Sequence, residues 1–81
     1  MGTGAGDDDI EVIEISGDMI RLGQFLKFAN FADSGAHAGA IIGDGDVLVD
    51  GTVETRRGRQ LAKGMVVEVR TAAETHVARV G

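Results

Sequence analysis

LGQFLKFANFADSGAHAGAIIGDGDVLVDG, residues 22–51, runs two short helical patterns directly into a tight hairpin. Leu22, Phe25, Leu26 and Ala29 recur at i, i+3, i+4 and i+7, so a first helix can bury one stripe while Gln24 and Lys27 stay in water. Ser34 stands where a cap is needed, because its hydroxyl can accept from a free N–H at the start of a second helix. The buried stripe of that helix would be Ala38, Ile41 and Ile42, and Gly45 supplies the left-handed residue that ends it. Val47 and Val49 then alternate with Asp46 and Leu48 at the two-residue period of a strand. Asp50-Gly51 reads as a two-residue hairpin turn, in which both residues must accept positive φ. The stretch predicts two helices on one face of a small antiparallel sheet.

The flanks extend that sheet. Ile10, Val12, Ile13 and Ile15 form a β-type run, Ser16-Gly17 a turn, and Met19-Ile20 a short return. Beyond the hairpin turn, residues 52–55 read as its second strand and residues 56–63 as a polar connection. Val66–Arg70 and Thr75–Val80 read as two more strands, and the expected closure pairs residues 10–15 with Thr75–Val80. Residues 1–9, MGTGAGDDD, alternate glycine with small residues before three aspartates and read as a disordered acidic leader, leaving residues 10–81 as a single domain. The leader's glycines are not a dinucleotide fingerprint, which must follow a strand and open a helix. The fold class expected is α+β, with two short helices packed on a small, mostly antiparallel sheet of four to five strands.

From Ser34 onward the spacing is Ser34, Ala38, Ile42, Gly45, Val47, Val49, Asp50, Gly51, or S-x-x-x-A-x-x-x-I-x-x-G-x-V-x-V-D-G. It resembles the RNA-binding domain of small-subunit ribosomal protein S-four, the alpha-L motif, whose pattern S-R-x-x-A-x-x-x-I-x-x-G-x-V-x-V-N-G fits without a gap. The resemblance covers residues 21–69. The continuation Glu54, Arg56, Arg57, Gly58 looks most like the short stand-alone members of the YbcJ/YaaA type. It implies a non-catalytic protein that binds structured RNA, ribosomal or stem-loop, through the first helix, the start of the second and a basic loop. On this chain those positions are Arg21, Gln24 and Lys27, then His37, then Arg56, Arg57, Arg59 and Lys63. Four departures accompany the match. Gly35 replaces an arginine, Gly39 a lysine, Asp50 an asparagine and Met65 an aspartate. Two phosphate contacts on the second helix are thereby missing, and Gly35, Gly39 and Gly43 leave one helix face bare enough for RNA backbone or another helix to approach.

Charge is unevenly distributed in a way that bears on this. The net charge is −5, which by itself opposes phosphate binding. Residues 1–20 carry six acids and no base, whereas residues 21–81 carry eight bases and seven acids, so −6 and +1 make up the total. Arg56, Arg57, Arg59 and Lys63 fall in one window without an acid. Arginine presents a planar fork of donors that fits phosphate oxygens and can stack on bases, and Gly58 lets a ligand come close to the backbone. The bland alternative is a solubilising loop.

At 81 residues the chain can bury only about 60% of its unfolded surface, which leaves no room for a separate substrate domain. The absence of cysteine excludes disulfides and thiolate metal sites and fits a reducing cytoplasm. No apolar run approaches the roughly 18 residues of a membrane span. His37 and His76 lie too far apart for a transition-metal site, and no cofactor is implied. Asp44, Asp46 and Asp50 lack the further ligand and glycine of a calcium loop, because Leu48 and Val49 stand there. Ser34 is needed as a cap and has no His and carboxylate to activate it, so no catalytic constellation emerges. A second functional class fits the same features: a protein-interaction module whose glycine face and acidic leader dock a ribosomal or translation protein.

Overall fold

The computed structural model describes residues 10–81, and the expected leader, residues 1–9, lies outside the described residues. In chain order the elements are β1 Glu11–Ile13, β2 Met19–Arg21, α1 Leu22–Phe28, α2 Gly35–Gly43, β3 Val47–Val49, β4 Thr52–Val53, β5 Gln60–Ala62, β6 Val66–Arg70 and β7 Thr75–Val80. Five strands form one sheet in the order β1-β7-β6-β3-β4, and β2 and β5 form a separate two-stranded ribbon. The β3–β4, β3–β6 and β6–β7 pairs are antiparallel. The expected closure of the sheet by its two ends is present as β1 on β7, and this pair is parallel, with Ile13 in register with Val80. A parallel pair needs a long crossover, which here is everything between the two strands.

The helix ends follow the chemistry read from the sequence. Ser34 Oγ accepts from the His37 backbone N–H at 3.1 Å and caps α2. Gly45 (φ 82°) ends it, with its own N–H bonded to the Ile42 carbonyl and that of Asp46 to the Ile41 carbonyl, the double bond pattern of a Schellman cap. Asn30 (φ 63°) does the same for α1, with Asn30 N–H to Lys27 O and Phe31 N–H to Leu26 O. The hairpin turn has positive φ at both Asp50 (51°) and Gly51 (85°), as a type I′ turn requires. Asp50 adds a second tie, since its Oδ1 accepts from the Val66 N–H at 2.9 Å.

Leu22, Phe25 and Leu26 from α1 and Ala38 and Ile42 from α2 pack on the inward residues Val47, Val49, Val67, Val69, Ala78 and Val80 of the sheet. Ile41 and Ala29 only border this core. Leu48, on the opposite side of β3, is also buried because β3 lies inside the sheet, in register with Val53 on one side and Glu68 on the other.

Two expectations need correction. Residues 56–63 are not wholly a polar connection: they contain β5, whose Leu61 is fully buried in the core. The short return at Met19-Ile20 does not fold back on β1; it extends through Arg21 and pairs antiparallel with β5, placing Ile20 opposite Leu61. Burying Leu61 takes its neighbours' backbone groups out of water, and pairing with β2 satisfies them. That ribbon carries the basic loop to the start of α1.

Candidate nucleic-acid interface

The loop between β4 and β5 is organised around one acid. Glu54 is 7% exposed, and its backbone N–H is fixed to the Val47 carbonyl at 2.9 Å. Its Oε2 accepts from Arg56 Nε (2.9 Å) and the Arg56 backbone N–H (3.0 Å), while Oε1 accepts from Arg56 Nη2 (3.1 Å) and Arg59 Nη1 (2.7 Å). The Arg56 and Arg59 side-chain bonds hold the Glu54 carboxyl far below the usual carboxylate range, outweighing the opposing effect of burial. Truncating both arginine side chains would strip Oε1 of its partners and leave Oε2 only the backbone N–H of residue 56, at a cost of about 1–3 kcal/mol. Arg56 and Arg59 therefore shape the loop, whatever else they touch.

Arg57, between them, makes no side-chain hydrogen bond or ion pair among the described residues. Its carbonyl accepts from the Gly23 N–H at 3.0 Å, and the Arg59 carbonyl accepts from the Leu22 N–H at 2.8 Å. These bonds satisfy N–H groups at the start of α1, whose N-cap residue, Arg21, offers no side-chain acceptor. The Arg57 stem then lies across the two helices where both carry glycine. A Cβ at Gly23 would stand 2.6 Å from Arg57 Cγ, and a Cβ at Gly39 would stand 3.4 Å from Cδ and from Nη1. The expected bare glycine face is thus partly occupied: Gly39 lies under the chain's own Arg57, while Gly35 and Gly43 remain open.

This arrangement leaves a pocket of about 330 Å³ lined by Arg21, Gln24, Lys27 and Arg57 around Gly23 and Gly35. No carboxylate lines it. Three cations converge on a floor without side chains, where the backbone of an anionic ligand can come close. Of the positions singled out from the sequence, Arg21, Gln24, Lys27 and Arg57 meet here. Arg56 and Arg59 line an adjoining, more open hollow of about 490 Å³ with Gly58 and Gln60. His37 lies on the first turn of α2 outside the pocket lining, with Nδ1 accepting from the Asp33 backbone N–H at 3.0 Å, so in the neutral ring the proton sits on Nε2. Lys63 sits in the turn closed by Met65 N–H to the Ala62 carbonyl at 3.2 Å, and it lines none of these hollows. Among the described residues no cluster of His, Asp and Glu could hold a metal ion, and no helix is long and apolar enough to cross a membrane.

Sequence reasoning missed Glu54 as an anchor and Gly23 as a contact. The signal for Glu54 was a single acid set two and five residues before two arginines. Gly23 had a subtler signal, a glycine where the first turn of a short helix would favour alanine.

Two helices on one face of a mostly antiparallel sheet, with a cationic hollow at the start of the first helix, define an S4-type α+β domain. The family model described as S4 domain matches residues 13–78, and the chain belongs to that family. It is similar to the probable ribosome maturation protein RlbA of Bacillus subtilis (strain 168), 46% identical over 57 residues that cover 70% of this chain and 80% of that protein. It is also similar to the putative RNA-binding protein YbcJ of Escherichia coli (strain K12), 40% identical over 48 residues, 59% of this chain and 69% of the relative. A tyrosine--tRNA ligase of Ralstonia nicotianae is 39% identical over 64 residues, which span 79% of this chain and only 16% of the ligase.

Proposed function

We propose that this S4 domain is a non-catalytic RNA-binding protein that recognises structured RNA, ribosomal or stem-loop, through the exposed face of α1, the start of α2 and the basic loop. The observation that carries the reading is the placement of Arg57 beside Arg21 and Lys27 over a floor of glycines, with no carboxylate in the lining. Similarity to two short relatives, a probable ribosome maturation protein and a putative RNA-binding protein, supports a ribosome-related role. The similarity to a tRNA ligase covers too little of that enzyme to carry its chemistry. A protein-docking role along the whole glycine face fits less well, because Arg57 covers Gly39.

The test is titration of ribosomal RNA at several salt concentrations. With three cations engaged, log affinity should fall with log salt at a slope of roughly −2 to −3, and Arg57→Ala should flatten it by about one contact. Wild type and Arg57→Ala with equal affinity and equal slope would overturn the proposal.

A further inference from the structure

A second groove, of about 600 Å³, opens beside the basic pocket, walled by Ile15, Met19, Ile20 and Phe28. Gln24 and Lys27 line both hollows. The reason lies in the helix: Gln24, Lys27 and Phe28 are spaced i, i+3, i+4 and share the face of α1 opposite the buried Leu22, Phe25 and Leu26. Phe28 is 59% exposed and Met19 is 52% exposed, although both are large and apolar. Cations thus lie on one side of the Gln24–Lys27 row and a solvated phenyl and thioether on the other.

That pairing matches a nucleotide, which joins an anionic phosphate to a flat, largely apolar base. From this continuity we infer that the groove receives one unpaired nucleobase, stacked on Phe28, of an RNA whose phosphates occupy the basic pocket; the inference rests on the RNA-binding reading above. Phe28 supplies the ring on which a base stacks, Met19 a polarisable wall, and Gln24 an amide that can both donate to and accept from a base edge. An uninterrupted duplex keeps its bases stacked inside and offers nothing to this groove. The ligand class is therefore RNA with a bulged or looped-out nucleotide beside a helical stem.

Three probes test it: an RNA hairpin with one bulged adenosine, the same hairpin with an abasic residue at the bulge, and the fully paired hairpin. Wild type should bind the bulged hairpin more tightly than either of the others by roughly 5- to 150-fold, the range for one base stacked on an aromatic ring. Phe28→Ala should abolish that preference while keeping the wild-type salt slope, since no phosphate contact is lost, and Phe28→Tyr should restore it. A thermal melt of each variant confirms that the fold is intact, as an exposed side chain predicts. If wild type and Phe28→Ala bind all three hairpins alike, RNA binding stands and the base site is overturned. If wild type binds none of the three, nor ribosomal RNA, the RNA-binding reading falls and the base site with it.

Discussion

Gly23→Ala isolates the contact on which the basic pocket is built. A Cβ at Gly23 would approach Arg57 Cγ to 2.6 Å and Cδ to 3.3 Å, whereas ordinary contact begins at 3.4 Å. The Arg57 backbone cannot easily withdraw, because its carbonyl accepts from the Gly23 N–H at 3.0 Å, so the side chain must rotate out of the pocket. Alanine improves helix propensity by at most about 1 kcal/mol at this first-turn position, and local overpacking costs about 1–3 kcal/mol. Net stability should stay within roughly 2 kcal/mol of wild type, with about 4–8 °C in melting temperature for each 1 kcal/mol. RNA affinity should fall to the level of Arg57→Ala, with the salt slope flattened by roughly 0.7–0.9. Gly39→Ala is the control, because its Cβ meets only Cδ and Nη1 at 3.4 Å, toward the free end of the side chain. It should stabilise α2 by about 0.8–1 kcal/mol and leave RNA affinity near that of wild type. Thermal melts and RNA titrations on the same preparations measure both quantities. Wild-type affinity and slope in Gly23→Ala would refute the claim that Arg57 acts from this position.

Two further predictions concern the supports of the site. Because the folded Glu54 carboxyl titrates below its unfolded value, its bonds contribute stability that is complete above about pH 4.3 and is lost as pH falls below it. The melting temperature of wild type should therefore drop more between about pH 6 and about pH 3 than that of Glu54→Gln, and parallel curves would show that the acid does not anchor the loop. Gly51→Val forces a β-branched residue to φ 85° and should lower the denaturant midpoint by an amount equivalent to about 1–3 kcal/mol; an unchanged midpoint would contradict the hairpin geometry.

Features set by neighbouring residues were legible in the sequence. The Ser34 cap, the Gly45 stop, the positive-φ pair at Asp50-Gly51 and the Leu22, Phe25, Leu26 stripe each depend on chemistry within a few residues, and each stands where the pattern put it. The ribbon of β2 and β5 was not legible, because Gln60–Ala62 is too short for a period and its partner lies about forty residues away. Its signal was Leu61 itself, an isolated large apolar residue in a charged stretch. The charge run at residues 56–59 looked uniform, and only the fold separates two arginines neutralised on Glu54 from one turned across the helices. Phe28 escaped notice because a phenyl beside a buried stripe reads as core, yet its position in α1 turns it outward.

In the proposed complex, Arg21, Lys27 and Arg57 hold RNA on the α1 face. Chemical-shift mapping of the backbone amides during titration with a ribosomal stem-loop RNA tests this placement most directly. The largest shifts should cluster at Arg21, Gly23, Gln24, Lys27, Gly35, Arg57 and Gly58, the residues around the basic pocket. Shifts centred instead on the outer side of the sheet, at Leu48, Val53 and Glu68, with the α1 face unmoved, would contradict it.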